Sequence, residues 1–124
     1  MTKPTVEPRL MPLIEAGLVA RCTPTDLEAG YSAMSARDYL RIRAARSAWP
    51  SAPINQDVLD RASDVQGLLA ARSQHPGAAI ADLIIAAAAE AADLVVLHYD
   101  ADFDLIATVT GQPTEWVVPA GLAD

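Results

Sequence analysis

The chain has 124 residues, a net charge of −7 and 52% hydrophobic residues. This length and composition suit one globular domain, residues 1–124, and exclude a disordered chain. No stretch reaches the ~18 apolar residues of a membrane span, because Asp82 and Glu90 interrupt the longest one. The N-terminus has no signal-peptide pattern, so we expect a cytoplasmic protein. The single cysteine, Cys22, excludes an intrachain disulfide and a cysteine-based metal site.

The acidic balance bears on the class of partner. Proteins that bind nucleic acid usually have a basic surface, because lysine and arginine contacts to phosphate supply most of the affinity. Two interpretations stay open: nucleic acid is not the partner, or clustered acids have a function, such as metal binding, that outweighs their repulsion of phosphate. An acidic surface also suits a basic segment of a partner protein.

The sequence predicts alternating helices and strands. The predicted helices are Leu10–Ala16, a helix that starts in Thr23–Asp26 and runs through Tyr31, Ser35–Trp49, a helix from Asn55 to near Ser73, Ile80–Ala92 and Phe103–Thr110. The predicted strands are Leu18–Cys22, Leu94–His98 and Trp116–Val118. Alternation of this kind favours an α/β domain with a parallel sheet.

Two features of these segments fix the predicted core. The helix after Asn55 has apolar residues at helical spacing, namely Val58, Ala62, Val65 and Leu69. The apolar helix that follows is predicted to bury one face, which consists of Ile80, Ile84, Ala87, Ala88 and Ala91. The continuous apolar run Leu94–His98 is typical of a strand buried on both faces of a parallel sheet.

Several carboxylates stand at unusual positions. Asp82 lies in the first turn of the most apolar helix, where a charge is costly unless it is paired or bound. The alternative is that Asp82 is an ordinary N-terminal acid, stabilised by the positive end of the helix dipole. Asp100 directly follows the apolar strand, at the end where open parallel sheets bind ligands, and we interpret it as functional. The alternative for this segment is a solvated loop in which Asp102 caps the next helix. For Asp104 we prefer this solvated-loop interpretation.

Other candidate functional residues carry less evidence when each is considered alone. Glu28 lies mid-helix, and a solvent-facing glutamate explains it. The histidines, His75 and His98, are too few and too far apart for a zinc site, and we interpret His98 as packed and hydrogen-bonded, with substrate contact as the alternative. A calcium loop at Asp100–Asp104 is excluded, because the glycine of its turn is absent and Gly111 stands where a bidentate glutamate is needed.

Four segments share the pattern of one family: Thr25–Ala33, Ala79–Ala87, Val95–Asp104 and Thr110–Trp116. Together they resemble a PIN domain, and most closely the VapC toxins of bacterial toxin–antitoxin pairs. The resemblance covers essentially the whole chain. It implies a PIN-like three-layer α/β/α fold with a central parallel sheet, and a homodimer.

The same resemblance implies the chemistry. Glu28, Asp82 and Asp100 occupy positions of the family's catalytic acids, and with Asp102 they would hold Mg²⁺ or Mn²⁺. Hard divalent cations take carboxylate oxygens, activate water and offset charge on the scissile phosphate. The implied function is that of a metal-dependent endoribonuclease toxin of a type II toxin–antitoxin module. The implied partners are an RNA substrate and a VapB-type antitoxin that crosses the acidic site.

One departure from the family leads to an alternative. The family begins with a central strand that ends in an aspartate, whereas Met1–Pro4 resembles the middle of the family's first helix. We therefore expect that the first strand and the first metal ligand are absent from this domain. A catalytically impaired PIN-like module that binds antitoxin or a dimer partner is the alternative function, and an unrelated α/β binding protein is a third. Candidates for phosphate contacts are Arg21, Arg43 and Arg72.

Overall fold

The computed structural model describes residues 20–74, 77–98 and 100–116, which form five helices and a sheet of two short strands. In chain order the elements are α1 (Thr23–Tyr31), α2 (Ala36–Ser47), α3 (Gln56–Ala71), α4 (Ile80–Ala91), β1 (Val96–His98), α5 (Ala101–Thr110) and β2 (Thr114–Trp116). The two strands pair in parallel, with Val96 opposite Thr114 and His98 opposite Trp116. The predicted α/β class with parallel strand pairing is confirmed.

The described helices agree with the predicted ones to within a few residues. The side chains of Ser35 and Asn55 accept backbone N–H groups at the starts of α2 and α3. Helix α5 begins two residues before its predicted start, because the side chain of Asp100 accepts the N–H of Asp102 and caps the helix there. Gly111 ends α5 with φ 70°, a left-handed conformation that glycine adopts without strain.

The strands differ more from the prediction. Leu94, predicted in β1, still donates its N–H to the carbonyl of Ala89 at the end of α4, at 2.8 Å, so pairing starts only at Val96. Of the predicted strand at residues 18–22, the described residues 20–22 form an isolated parallel bridge between Arg21 and Ser51. Several predictions concern residues that lie outside the described ones. These are the helix at residues 10–16, the expected loss of the first strand at residues 1–4, His75, and the strand residues 18–19 and 117–118.

The hydrophobic core lies between α3, α4, α5 and β1. Its buried residues are Val58, Ala62, Val65, Leu69, Ala78, Leu83, Ala86, Ala87, Ala88, Val96, Phe103 and Ile106. The predicted face of α3 is confirmed residue by residue. The predicted face of α4 was partly wrong, since Ile80 is 73% exposed and Ala91 is exposed, whereas Asp82 and Leu83 are buried. A helix that is apolar on nearly every side does not reveal its buried face by periodicity.

Polar contacts tie these elements together. Arg61 of α3 donates two hydrogen bonds, of 2.7 and 3.1 Å, to the carboxylate of Glu90 in α4. The buried Gln112, just before β2, donates from its amide to the carbonyl of Ala86 in α4 at 2.9 Å. The β2 end of the sheet is therefore fixed to the same helix that carries Asp82.

Helices α1 and α2 form a separate pair beside this core. Neither contains a buried residue, and α1 contacts both α2 and α4. Asp26 joins the pair, because its carboxylate accepts from Arg21 at 2.7 Å and from Arg46 of α2 at 2.9 Å. The thiol of Cys22 at the start of α1 is buried. In the part of the chain that the structure describes, no helix is long and apolar enough to cross a membrane.

Candidate active site

Helix α4 brings one carboxylate into the protein. Asp82 is the third residue of α4 and is only 8% exposed, next to the core residue Leu83. A carboxylate so placed must be satisfied by partners, because its desolvation is not compensated by apolar packing. The N-terminal turn of the helix supplies part of that compensation through its positive dipole end.

The turn from β1 into α5 brings two more carboxylates to the same place. The Oδ1 atom of Asp100 accepts the N–H of Asp102 at 2.9 Å, and this contact caps α5. The Oδ2 atom of Asp102 accepts the N–H of Ala79, the residue before α4, at 3.0 Å. Asp102 therefore joins the N-termini of two helices, and both helices direct N–H groups at the acids.

The three acids form one cluster. Carboxylate oxygens of Asp82, Asp100 and Asp102 lie within 4.8 Å of one another, with Asp82 buried, Asp102 half-buried and Asp100 exposed. Burial of Asp82, its hydrogen bonding with Asp102 and the charge of Asp100 together raise the pKa of Asp82 to about 7. Three carboxylates that repel one another at this spacing are the oxygen-only ligand set that a hard divalent cation prefers. The residues present therefore fit a divalent metal.

Glu28 stands apart from this cluster in the structure. It is exposed on α1, which contacts α4, and its carboxylate is not one of the three that lie within 4.8 Å. The sequence grouped Glu28 with Asp82 and Asp100 only through the family resemblance. Its place among the catalytic acids stays a prediction.

A second layer of side chains supports the β1–α5 turn. His98 is 5% exposed and packs between the rings of Phe103 and Trp116, with centroids 5.1 and 4.8 Å away. Its Nδ1 atom accepts the N–H of Asp100 at 3.2 Å, so the packed, hydrogen-bonded histidine that the sequence predicted is confirmed. Burial lowers the pKa of His98, which keeps the ring neutral and Nδ1 an acceptor near pH 7.

Asp104 belongs to this second layer, which the sequence did not predict. Its Oδ2 atom accepts from the indole Nε1 of Trp116 at 2.8 Å, and its Oδ1 atom lies 3.5 Å from Nε2 of His98. The solvated interpretation of Asp104 agrees with its side-chain exposure of 48%, but the residue lies in α5 rather than in a loop and has these two structural partners. The interaction joins β2 to α5, and only the parallel pairing of β1 with β2 brings Trp116 within reach.

The three arginines proposed for phosphate contacts differ in their surroundings. Arg21 pairs with Asp26, and Arg72 donates to the carbonyl of Thr108 at 3.2 Å. Arg43 donates to the hydroxyl of Tyr39 at 3.1 Å and makes no ion pair within the described residues. Of these three arginines, only Arg21 is paired with a carboxylate among the described residues, and neither Arg43 nor Arg72 forms an ion pair there.

Comparison with known proteins gives close relatives over nearly the whole chain. Ribonuclease VapC51 of Mycobacterium tuberculosis is 53% identical over 124 residues, which cover 100% of this chain and 90% of that protein. Ribonuclease VapC21 of the same organism is 46% identical over 97% of this chain and 88% of its own length. Ribonuclease VapC18, also from M. tuberculosis, is 40% identical over 96% and 88%, respectively. No protein-family model matches the chain.

Proposed function

Because this chain belongs to the VapC ribonuclease family, with the PIN-like α/β fold that membership implies, we propose that it is a toxin endoribonuclease of a toxin–antitoxin system. Its reaction is the hydrolysis of phosphodiester bonds in RNA. The observation that supports this most strongly is the cluster of Asp82, Asp100 and Asp102 at the meeting point of α4, α5 and β1.

The proposal includes a divalent metal, Mg²⁺ or Mn²⁺, held by Asp82, Asp100 and Asp102, with Glu28 as a further catalytic acid. A bound divalent cation activates a water molecule and offsets charge on the phosphate. Clustered acids then have the function that reconciles a net charge of −7 with an RNA substrate.

The chain's own residues prepare this site. The carboxyl group of Asp82, with its pKa raised to about 7, holds a proton that must leave before its oxygen can bind a cation. The side chain of Asp100 is oriented by its bond to the N–H of Asp102, and its backbone by His98. Two of the three proposed ligands are thus fixed by the start of α5, which reduces the loss of conformational freedom on binding.

The partners proposed with this function are an RNA substrate, a VapB-type antitoxin and a second copy of this chain as a homodimer. The acidic cluster suits a basic antitoxin residue, which would neutralise it without a metal. The catalytically impaired module, considered as the alternative, is not favoured, because relatives at 40–53% identity are named ribonucleases.

The test is cleavage of total cellular RNA by the chain with Mn²⁺ or Mg²⁺, and again with EDTA. Loss of a partner outside the ligand shell already lowers metal-site activity about 10- to 100-fold, so Asp82→Asn should lower cleavage by ~100-fold or more. Asp57→Asn is the matched control, because Asp57 is an exposed acid in the first turn of α3. Equal metal-dependent cleavage by Asp82→Asn and the native chain would exclude the proposed site.

A further inference from the structure

The pair of helices α1 and α2 encloses a second, chemically different site. A groove of about 780 Å³ runs between them, within the roughly 300–1,000 Å³ range of small-ligand sites. Its walls include Thr23, Leu27 and Tyr31 of α1 and Tyr39, Arg43 and Arg46 of α2. On each helix these residues recur every three or four positions, so each helix turns one continuous face to the groove. We call this site the α1–α2 groove.

The charge of the α1–α2 groove is opposite to that of the chain. Helix α2 carries four of the nine lysine and arginine residues of the protein and a single acid, Asp38. Of the four arginines of α2, Arg43 and Arg46 line the groove, and the other charged residues of its lining are Arg21 and Asp26. On a chain of net charge −7, a groove lined by three arginines and one acid suits an anionic ligand.

The two arginines of α2 that line the groove, Arg43 and Arg46, have different hydrogen-bond partners. Arg46 is engaged within the protein, because it donates to Asp26 at 2.9 Å and to Thr25 at 2.9 Å and lies 4.8 Å over the ring of Trp49. Arg43 has only the neutral Tyr39 hydroxyl as a hydrogen-bond partner among the described residues. Its side chain therefore retains both its charge and most of its five donors for a ligand.

Tyr39 is held in place as a flat platform. Its ring lies against Gly30 of α1, where an added Cβ atom would come within 3.0 Å of the ring's Cε1 atom. The hydrogen bond from Arg43 fixes the other end of the ring, at the hydroxyl. Even so, Tyr39 is 39% exposed, and Tyr31 on the facing helix is 93% exposed. Aromatic rings fixed in this way beside a free cation are the usual means of binding unpaired bases.

We propose that the α1–α2 groove binds a single-stranded segment of RNA, with a base stacked on Tyr39 and a neighbouring phosphate paired with Arg43. The inference rests on the proposed function and extends it from the acidic cluster to the substrate. Helix α1, which forms one wall of the groove, also contacts α4, the helix that carries Asp82. A protein helix is the other occupant that the exposed Leu27 and Tyr31 suit, but it does not require the excess of arginine.

The test separates RNA binding from cleavage by measuring binding in EDTA. An end-labelled single-stranded RNA of about 12 nucleotides is titrated in a filter-binding assay at several salt concentrations. Tyr39→Leu should weaken binding roughly tenfold by loss of stacking, whereas Tyr39→Phe, which keeps the ring, should change it less than about twofold. Arg43→Gln should weaken binding and lower the slope of affinity against salt by about one. Arg41→Gln is the matched control, because Arg41 lies on the same helix but does not line the groove.

The outcomes distinguish this inference from the proposed function. If the chain cleaves no RNA, but binding still falls with Tyr39→Leu and Arg43→Gln, the groove assignment stands and the enzymatic proposal fails. If the chain cleaves RNA and neither substitution changes binding, the groove assignment is overturned. Loss of binding to a peptide of the proposed antitoxin, with unchanged RNA binding, would also overturn it and make the groove a protein-binding surface. Far-ultraviolet circular dichroism checks that each variant keeps its helices.

Discussion

Two regions of this chain are built on different physical principles. The region formed by α3, α4, α5 and the sheet is held by a hydrophobic core and concentrates carboxylates at one end. The pair α1–α2 has no buried residue in either helix, is held by ion pairs around Asp26, and concentrates arginine. Apolar burial supplies most of the stability of a fold, so the first region fixes the geometry of the acids. The second region relies on polar contacts for its geometry.

The comparison is sharpest for a buried leucine against an exposed one. Leu69 of α3 is 1% exposed, whereas Leu40 of α2 is 63% exposed. Leu69→Ala should lower the free energy of unfolding by about 2–5 kcal/mol, since it removes buried methyl groups and leaves a cavity. Leu40→Ala, the matched control, should change it by less than ~0.5 kcal/mol. Urea denaturation measures both, and similar losses would show that α2 shares the core.

The acids give the second prediction, for the metal-free protein in EDTA. In the unfolded chain Asp82 has an ordinary pKa near 3.8, and in the folded chain it is raised to about 7. Between these values the folded protein keeps a proton that the unfolded chain has released, so stability should fall as the pH rises through this window. The change from 3.8 to about 7 corresponds to a loss on the order of 4 kcal/mol.

Asp82→Asn should remove most of that pH dependence, and Asp57→Asn should not. Burial lowers the pKa of His98, so this residue makes stability rise with pH. It does so equally in the native chain, in Asp82→Asn and in Asp57→Asn. The difference between the variants therefore isolates Asp82. Urea denaturation at several pH values makes the comparison, and identical slopes for the native chain and Asp82→Asn would refute the raised pKa of Asp82.

The ion pairs of α1–α2 give the smallest effect. Arg46 bonds to Asp26 with its side chain only 19% exposed, whereas Arg41 pairs with Asp38 at 72% exposure. Arg46→Ala should cost about 1 kcal/mol, because it leaves a partly buried carboxylate with one partner fewer. Arg41→Ala should cost close to nothing, as most exposed pairs do. Thermal denaturation of the two variants decides this, and equal melting temperatures would remove the special role of Arg46.

Sequence periodicity predicted the fold best where polar residues mark the outside of an element. Helix α3 has polar residues between its apolar ones, so its four buried residues were identified correctly. Helix α4 has almost none, and its buried face was predicted with Ile80 inside when Ile80 is largely exposed. The start of α5 was missed by two residues, because a cap depends on the side-chain geometry of Asp100 rather than on hydrophobic pattern.

The acidic cluster could be predicted where its residues are close to one another in the sequence. Asp100 and Asp102 are close because they are neighbours in the chain, and Asp82 joined them through position on the strand–helix framework and the family resemblance. The contact of Asp104 with Trp116 spans 12 residues and needs the parallel register of β1 and β2. The α1–α2 groove arises from two helix faces that no local motif links.

The placement of the two tryptophans has a practical consequence. Trp49 follows α2 and lies under the guanidinium of Arg46, whereas Trp116 ends β2 beside His98 and Asp104. Each region thus carries its own intrinsic fluorophore. With Trp49→Phe the emission reports on the acidic end alone, and with Trp116→Phe it reports on the arginine-rich pair alone. Metal titration and RNA titration then become separate optical signals within one protein.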